Sequence, residues 1–253
     1  MAIVTVSRQY GCGGAEIGRA VATVLGAEYV DSELIAEAAR RIGVPQDLIS
    51  ERDERIRSVT ERLLEDIRLA FTGLRRPGLP VTAGPVPPLT DAQLLAVTRS
   101  LIAEAARGNN AVIVGRGAQV LLRRHKSALH VHLVAPLAHR VEKIVARRGV
   151  SAEEAKSLIA KTDADRAAYL RTNYQADWED PLLYHFVLNT GMMSCEAAVH
   201  LLVVAASGVD EARRAARAAG RGGRAAEAED VLASVRAVRE SIRGIVERYR
   251  TAP

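Results

Sequence analysis

The sequence predicts an α/β protein, a three-layer sandwich built on a mostly parallel sheet. Three observations carry this. An alternating apolar run at the amino end, Ala2-Ile3-Val4-Thr5-Val6, leads through a glycine-rich turn into an amphipathic helix. Strand-like and helix-like segments then alternate at least four times along the chain. And Ala111-Val112-Ile113-Val114 is continuously apolar, the mark of a parallel strand buried on both faces.

The first unit organises the rest. After the strand comes Ser7-Arg8-Gln9-Tyr10-Gly11-Cys12-Gly13-Gly14-Ala15-Glu16-Ile17-Gly18. Ile17, Ala20, Val21, Val24 and Leu25 then recur at helical spacing. A turn of this kind leaves backbone N–H groups unpaired at the positive end of a helix dipole. Phosphate is their natural partner, and glycines at 11, 13 and 14 let the backbone bend and a ligand come close. A ligand-free strand–helix turn is the alternative.

Glu28-Tyr29-Val30 reads as a second strand ending at Asp31-Ser32. A helix through Leu34, Ile35, Ala38 and Ile42 stops at Gly43, and Pro45 opens another that runs towards Phe71. Residues 75–88 hold five prolines and two glycines, which predicts an extended loop. Thr90-Asp91-Ala92-Gln93 is a capping-box pattern. Its helix carries Leu94, Leu95, Thr98, Leu101, Ile102 and Ala105 and ends at Gly108. The apolar strand at 111–114 runs into Gly115-Arg116-Gly117.

Leu129 to Val134 is the next strand. His130 and His132 share one of its faces and, with no third ligand nearby, read as packing residues and not a metal pair. A helix follows Pro136 through Val141, Ile144 and Val145. Ser151-x-x-Glu154 caps another, carrying Ala155, Leu158 and Ile159 and leading into Lys161-Thr162-Asp163-Ala164-Asp165-Arg166. Tyr184 to Leu188 reads as a last strand ending at Asn189-Thr190, with a helix from Glu196 to Val204 behind it.

In parallel sheets ligands gather beyond the carboxyl ends of the strands. The glycine turn, Asp31, Gly115-Arg116-Gly117 and Asn189-Thr190 all fall at such ends. After residue 207 the character changes: Arg213, Arg214, Arg217, Arg221 and Arg224 occur without an acid between them, among alanines and glycines, which reads as a linker, a basic helical patch for an anionic partner being the alternative. Val231, Val235, Val238, Ile242, Ile245 and Tyr249 then form a heptad stripe. Packing back on the core and pairing in a homodimer are equally open for it.

The 253 residues suffice for one sizeable core. No apolar run is long enough for a bilayer, and the opening residues read as a strand, not a signal peptide. Two cysteines, Cys12 and Cys195, exclude a disulfide framework and suit a reducing cytoplasm. A formal charge of +5 suits anionic ligands without implying nucleic acid, which remains an add-on reading for the arginine-rich tail.

Four blocks resemble the cytidylate kinase-like family, a branch of the nucleoside monophosphate kinases with a P-loop fold. They are residues 7–18, Tyr29 to Ile35, Val112 to Ala118, and Lys161 through Trp178 to Thr190. The resemblance covers about residues 1–206. It implies a helical substrate-binding insertion at 41–108 and a lid-like region at 152–180, and it does not cover the extension at 207–253. It also implies small nucleotides as partners, with ATP and Mg²⁺ as the donor pair. Gly11, Cys12, Gly13, Gly14, Ala15 and Glu16 would wrap the donor phosphates. Asp31, Ser32 and Arg116 would hold the acceptor, CMP or dCMP. Lys161 and Arg166 would fold over the transferred group. No metal ligand set follows; Asp163 and Asp165 are lid acids that pair with lid arginines or assist the metal.

Two departures stand out. Gly14 falls where a P-loop carries lysine, and Arg8 reads equally as a residue that reaches back to replace that charge or as a solvated turn residue. Gly117 stands where cytidylate kinases carry an acid that helps read cytosine. The missing lysine leaves open a regulatory module that binds nucleotide without transferring phosphate. A dinucleotide-dependent oxidoreductase fits less well, because the third glycine of its fingerprint falls on Glu16.

Overall fold

The computed structural model describes residues 2–31 and 91–219. The helices expected between 34 and 71, the loop at 75–88, Ser32, Thr90 and the heptad stripe lie outside them. The chain divides into two compact units, Met1–Asp31 with Ile102–Pro253, and Ser32–Leu101. The first holds the sheet and all that follows, except the first turns of one helix.

Strand β1 (Ile3–Arg8) is β-branched at four successive positions and buried at all six residues. Helix α1 (Gly14–Leu25) begins at Gly13 and ends at Gly26, both left-handed. Strand β2 (Glu28–Asp31) follows, then helix α2 (Asp91–Arg107), strand β3 (Ala111–Val114) and the short helix α3 (Ala118–Leu121). Strand β4 (Ala128–Val134), helix α4 (Leu137–Arg148), helix α5 (Ala152–Tyr174), strand β5 (Phe186–Asn189) and helix α6 (Cys195–Ala219) complete the described residues.

The five strands are all parallel, in the order β2-β3-β1-β4-β5. β1 lies centrally, with β3 and β4 as neighbours. The chain therefore leaves the sheet in opposite directions on the two sides of β1, and a crevice opens beyond its carboxyl end. β3 between β1 and β2 also departs from the 3-2-1-4-5-6 order of dinucleotide-binding sheets. On one face Val4, Val6, Val112, Val114, Leu129, Val131 and Leu133 pack against α1 and α6. A smaller cluster, Val141, Ile144, Ala155 and Ile159, joins α4 to α5. No described helix is long and apolar enough to cross a membrane.

Three expected boundaries move. The Ser151 cap is present in full: its Oγ accepts from Glu154 N at 3.2 Å and Glu154 Oε2 accepts from Ser151 N at 2.9 Å. The helix it starts does not stop before the 161–166 run but carries it, ending only where Gln175 turns left-handed. β5 begins at Phe186, two residues later than expected. Asp180 caps a 3₁₀ turn at Pro181–Leu183, and Tyr184 N closes that turn on Pro181 O. Helix α6 continues past Val204 through residues 207–219, the start of the segment read as a linker. Alanine is the strongest helix former, and the single glycine there, Gly208, costs only about 1 kcal/mol.

The opposite face of the sheet is polar at its centre. His130 Nδ1 meets Thr5 Oγ1 at 2.8 Å, and His132 Nδ1 meets Ser7 Oγ at 3.1 Å. Trp178 Nε1 donates to the same Ser7 Oγ at 2.8 Å, and Tyr184 stacks on His132 with ring centroids 4.7 Å apart. The Tyr184 hydroxyl donates to Trp178 O at 2.8 Å. Both histidines are thus packing residues joined to β1. Burial pushes each down to about 4, aided by His185 beside His130 and by Arg166 near His132.

A pH dependence follows. In the unfolded chain these imidazoles titrate near the ordinary value of about 6.5. Between there and about pH 4 the unfolded chain binds protons that the folded one refuses, so stability falls as pH falls. Above the unfolded value neither state is protonated and the effect is gone. Urea unfolding should show a loss on the order of 2–4 kcal/mol between neutral pH and about pH 5. His132→Gln should remove part of that slope.

Candidate functional site: the glycine loop and its cationic rim

The loop between β1 and α1 is shaped by two left-handed glycines, Gly11 (φ +87°) and Gly13 (φ +81°). Gly11 lies against α4: a Cβ there would stand 3.0 Å from Arg140 O and 3.2 Å from Ile144 Cγ1. Cys12 turns inwards. It is buried, its Sγ lies 3.5 Å from Leu133 O, and burial pushes the thiol up to about 11. Cys12 therefore offers a ligand only its backbone. Thr190, beyond β5, fixes that backbone by donating from Oγ1 to Cys12 O at 2.8 Å. Gly13 precedes the first turn of α1, so loop amides and the helix dipole point the same way.

Arg8 and Asp31 come together. Their side chains are nearly buried, with Arg8 NH2 3.9 Å from Asp31 Oδ1, and Tyr29 OH donates to Asp31 Oδ2 at 3.2 Å. The stem of Arg8 fills the space in front of Gly14. A Cβ at Gly14 would lie 2.6 Å from Arg8 Cγ and 2.7 Å from Arg8 Cβ. Ala15 is half-buried and Glu16 exposed, with Arg147 NH1 3.9 Å from Glu16 Oε1.

Helix α5 meets the loop with one face. Asp163 accepts Tyr10 N–H at 2.7 Å and forms an ion pair with Arg140. Arg140 also donates to Tyr10 O at 3.3 Å and Ala135 O at 3.0 Å. Arg166 NH1 donates to Arg8 O at 2.9 Å, and its guanidinium lies 5.9 Å from the Tyr10 ring centre. Arg147 and Arg148 of α4 lie 6.0 and 5.8 Å from the same ring. Lys161 is exposed and falls about 160° around the helix from Asp163, so the structure does not bring it to this cluster. Asp165 is exposed as well.

At the end of β3, Gly115 (φ +83°), Arg116 (φ +54°) and Gly117 (φ +74°) are left-handed in succession. A non-glycine residue there is strained, and such strain gathers at functional positions. Arg116 lies over the Tyr169 ring at 4.8 Å, and its carbonyl accepts from Tyr174 OH at 3.2 Å. Arg116 Nε and Tyr169 OH are both buried without a hydrogen-bond partner. Such atoms are costly unless something else bonds them. Gly117 is where Tyr174 presses in: a Cβ would stand 2.4 Å from its ring.

The sequence reading missed Arg140, Lys143 and Arg147, and the aromatic set Tyr10, Tyr169 and Tyr174. A signal existed for the first group. The three cations recur at i, i+3 and i+7 on the helix after β4, where only the apolar residues were read.

Known proteins resemble this chain. The model of the cytidylate kinase-like family matches residues 3–192. The cytidylate kinase of Pyrococcus horikoshii is 33% identical over 108 residues, 42% of this chain and 55% of that relative, so the chain spans about half the length of that protein. The cytidylate kinase of Ignicoccus hospitalis is 25% identical over 203 residues, 80% of this chain and 97% of the relative. Among solved structures, an uncharacterized protein from Eubacterium ventriosum superposes with a TM-score of 0.56 at 16% identity, over 80% of this chain and 96% of the other. That likeness speaks to fold alone.

Proposed function

Since the chain belongs to the cytidylate kinase-like family, we propose that it is a nucleotide kinase, moving the γ-phosphoryl group of ATP to a nucleoside monophosphate, CMP or dCMP first among candidates. The observation that carries this is the glycine loop at the switch point of a parallel sheet, rimmed by cations from α4 and α5. In the reaction an oxygen of the acceptor phosphate attacks the γ-phosphorus, and the bond to the β–γ bridging oxygen breaks. ADP leaves and the acceptor gains a phosphoryl group. Little covalent chemistry is asked of the protein; it must align the phosphates and meet their charge.

The residues fit a polyphosphate. Gly11 and Gly13 open the loop backbone, and α1 presents its positive end. Arg166 holds α5 onto the loop through the Arg8 carbonyl, so closure of that helix would exclude water as a competing acceptor. The unpartnered Arg116 Nε and Tyr169 OH mark where an acceptor would gain hydrogen bonds. Magnesium takes most of its ligands from phosphate and water, and Glu16 is the one loop carboxylate that could join them.

The glycine in the lysine slot favours one second reading, a module that binds nucleotide without turnover. A coupled assay across all nucleoside monophosphates, run beside calorimetry with magnesium ATP, separates the two. Turnover of at least one acceptor supports the kinase; tight ATP binding with none supports the module. Neither binding nor turnover refutes both.

A further inference from the structure

We propose that Lys143, on α4, supplies the positive charge that the glycine loop lacks at position 14, by binding the terminal phosphates of the donor. The proposal rests on the nucleotide-kinase reading above and assigns the cation of that same site. Arg8, the residue the sequence nominates, has its charge balanced by Asp31, and both side chains are nearly buried. Its stem, moreover, blocks the space where a side chain at Gly14 would emerge.

Lys143 reaches the loop from the other side. A Cβ at Gly13 would lie 3.7 Å from Lys143 Nζ, 3.3 Å from Glu16 Oε2 and 3.6 Å from Cys195 Sγ. The ammonium thus stands beside the residue that opens α1, where the dipole already favours an anion. Its hydrogen-bond partner among the described residues is a weak one, Cys195 Sγ at 3.9 Å. Glu16, the nearby acid, is answered by Arg147, one turn along α4. Lys143 is half-buried, so its charge is less screened than that of a surface lysine.

The register of α4 is fixed by close packing, which is why the lysine is aimed. Arg140 and Ile144 press on Gly11, and Arg140 is tied to Ala135 O, Tyr10 O and Asp163. Lys143 follows Arg140 by three residues and falls on the adjoining part of the same face. A P-loop lysine rises from the helix beneath the phosphates. Here the equivalent charge would come across the loop from a neighbouring helix.

The test uses the full chain. Calorimetry with magnesium ATP and with inorganic tripolyphosphate compares the wild type with Lys143→Met, Lys143→Gln and Lys143→Arg. Loss of a charge-assisted hydrogen bond to phosphate should weaken both ligands about 10- to 100-fold in the Met and Gln variants. The Arg variant should stay within about threefold, and melting temperatures should not move.

Cys195 gives a second readout. It is half-buried, whereas Cys12 is buried, so a dianionic aryl disulfide reagent should label Cys195 first. Tripolyphosphate should slow that labelling in the wild type and not in Lys143→Met. If the Met and Gln variants bind both ligands as tightly as the wild type, the Lys143 assignment is wrong while the kinase reading stands. If the wild type binds neither ligand, both fall.

Discussion

Gly14→Lys, which restores the P-loop lysine on paper, will weaken nucleotide binding and lower the melting temperature. The slot is not vacant. Arg8 Cβ and Cγ lie within 2.7 Å of where the new Cβ must go, and these atoms belong to the stem of a nearly buried side chain that ends on Asp31. The stem cannot swing aside without parting that pair. Overpacking of this sort costs about 1–3 kcal/mol, and displacing a buried charge adds to it. Gly14→Ala should show most of the same loss, because the collision starts at the first carbon. Combining Gly14→Lys with Arg8→Ala should recover part of the packing cost. The two changes share one space, so their effects should not add. Thermal melts and ATP calorimetry on the wild type, Gly14→Ala, Gly14→Lys, Arg8→Ala and the Gly14→Lys/Arg8→Ala double variant measure this; tighter ATP binding by the Gly14→Lys single variant would falsify it.

Asp163→Ala should cost about 3 kcal/mol and detach α5 from the loop, because it strands a buried guanidinium. Asp163 ties three parts of the chain. One oxygen accepts the Tyr10 amide and the other meets Arg140, which in turn holds Ala135 O and Tyr10 O. Removing the carboxylate leaves Arg140 charged and mostly buried with only carbonyls to answer it. Asp163→Asn keeps the shape and one acceptor, so it should lose less. The difference between the two variants in chemical denaturation isolates the charge. Should Asp163→Ala melt like the wild type, the docked arrangement of α5 is not the one populated in solution.

The sheet was legible because its signals are local. The five residues Ala2 to Val6 ahead of a glycine turn, and four continuous apolar residues at 111–114, need no tertiary knowledge to read as strands. The Ser151 cap was readable for the same reason. Length was harder. Nothing within residues 195–219 says whether an alanine- and arginine-rich stretch continues a helix or leaves it, since propensity alone is a weak prior. At β5 the pattern of apolar residues continued through Tyr184, but Asp180 and Pro181 had already committed the backbone to a turn.

At the candidate site, the sequence singled out residues but not what they pair with. Arg8 and Asp31 were both singled out, one for the donor and one for the acceptor, yet the fold sets them against each other. Charge pairing between the ends of β1 and β2, across the intervening β3, depends on sheet order, which strand patterns do not encode. Lys143 was passed over because its neighbours in sequence describe an ordinary amphipathic helix, and its spacing from Arg140 and Arg147 marks a face without saying what that face meets. Only the close fit of Gly11 against Arg140 and Ile144 shows which way that helix faces.

The chain contains one tryptophan, and Trp178 is buried with its indole nitrogen held by Ser7, the residue before Arg8. Its emission is therefore tied to the strand that feeds the glycine loop and to the segment following α5. Any ligand that shifts either will change the polarity around a single fluorophore already in place. A ligand that moves neither leaves that emission unchanged, so a titration without a label or a coupled enzyme reports directly whether strand or segment shifts.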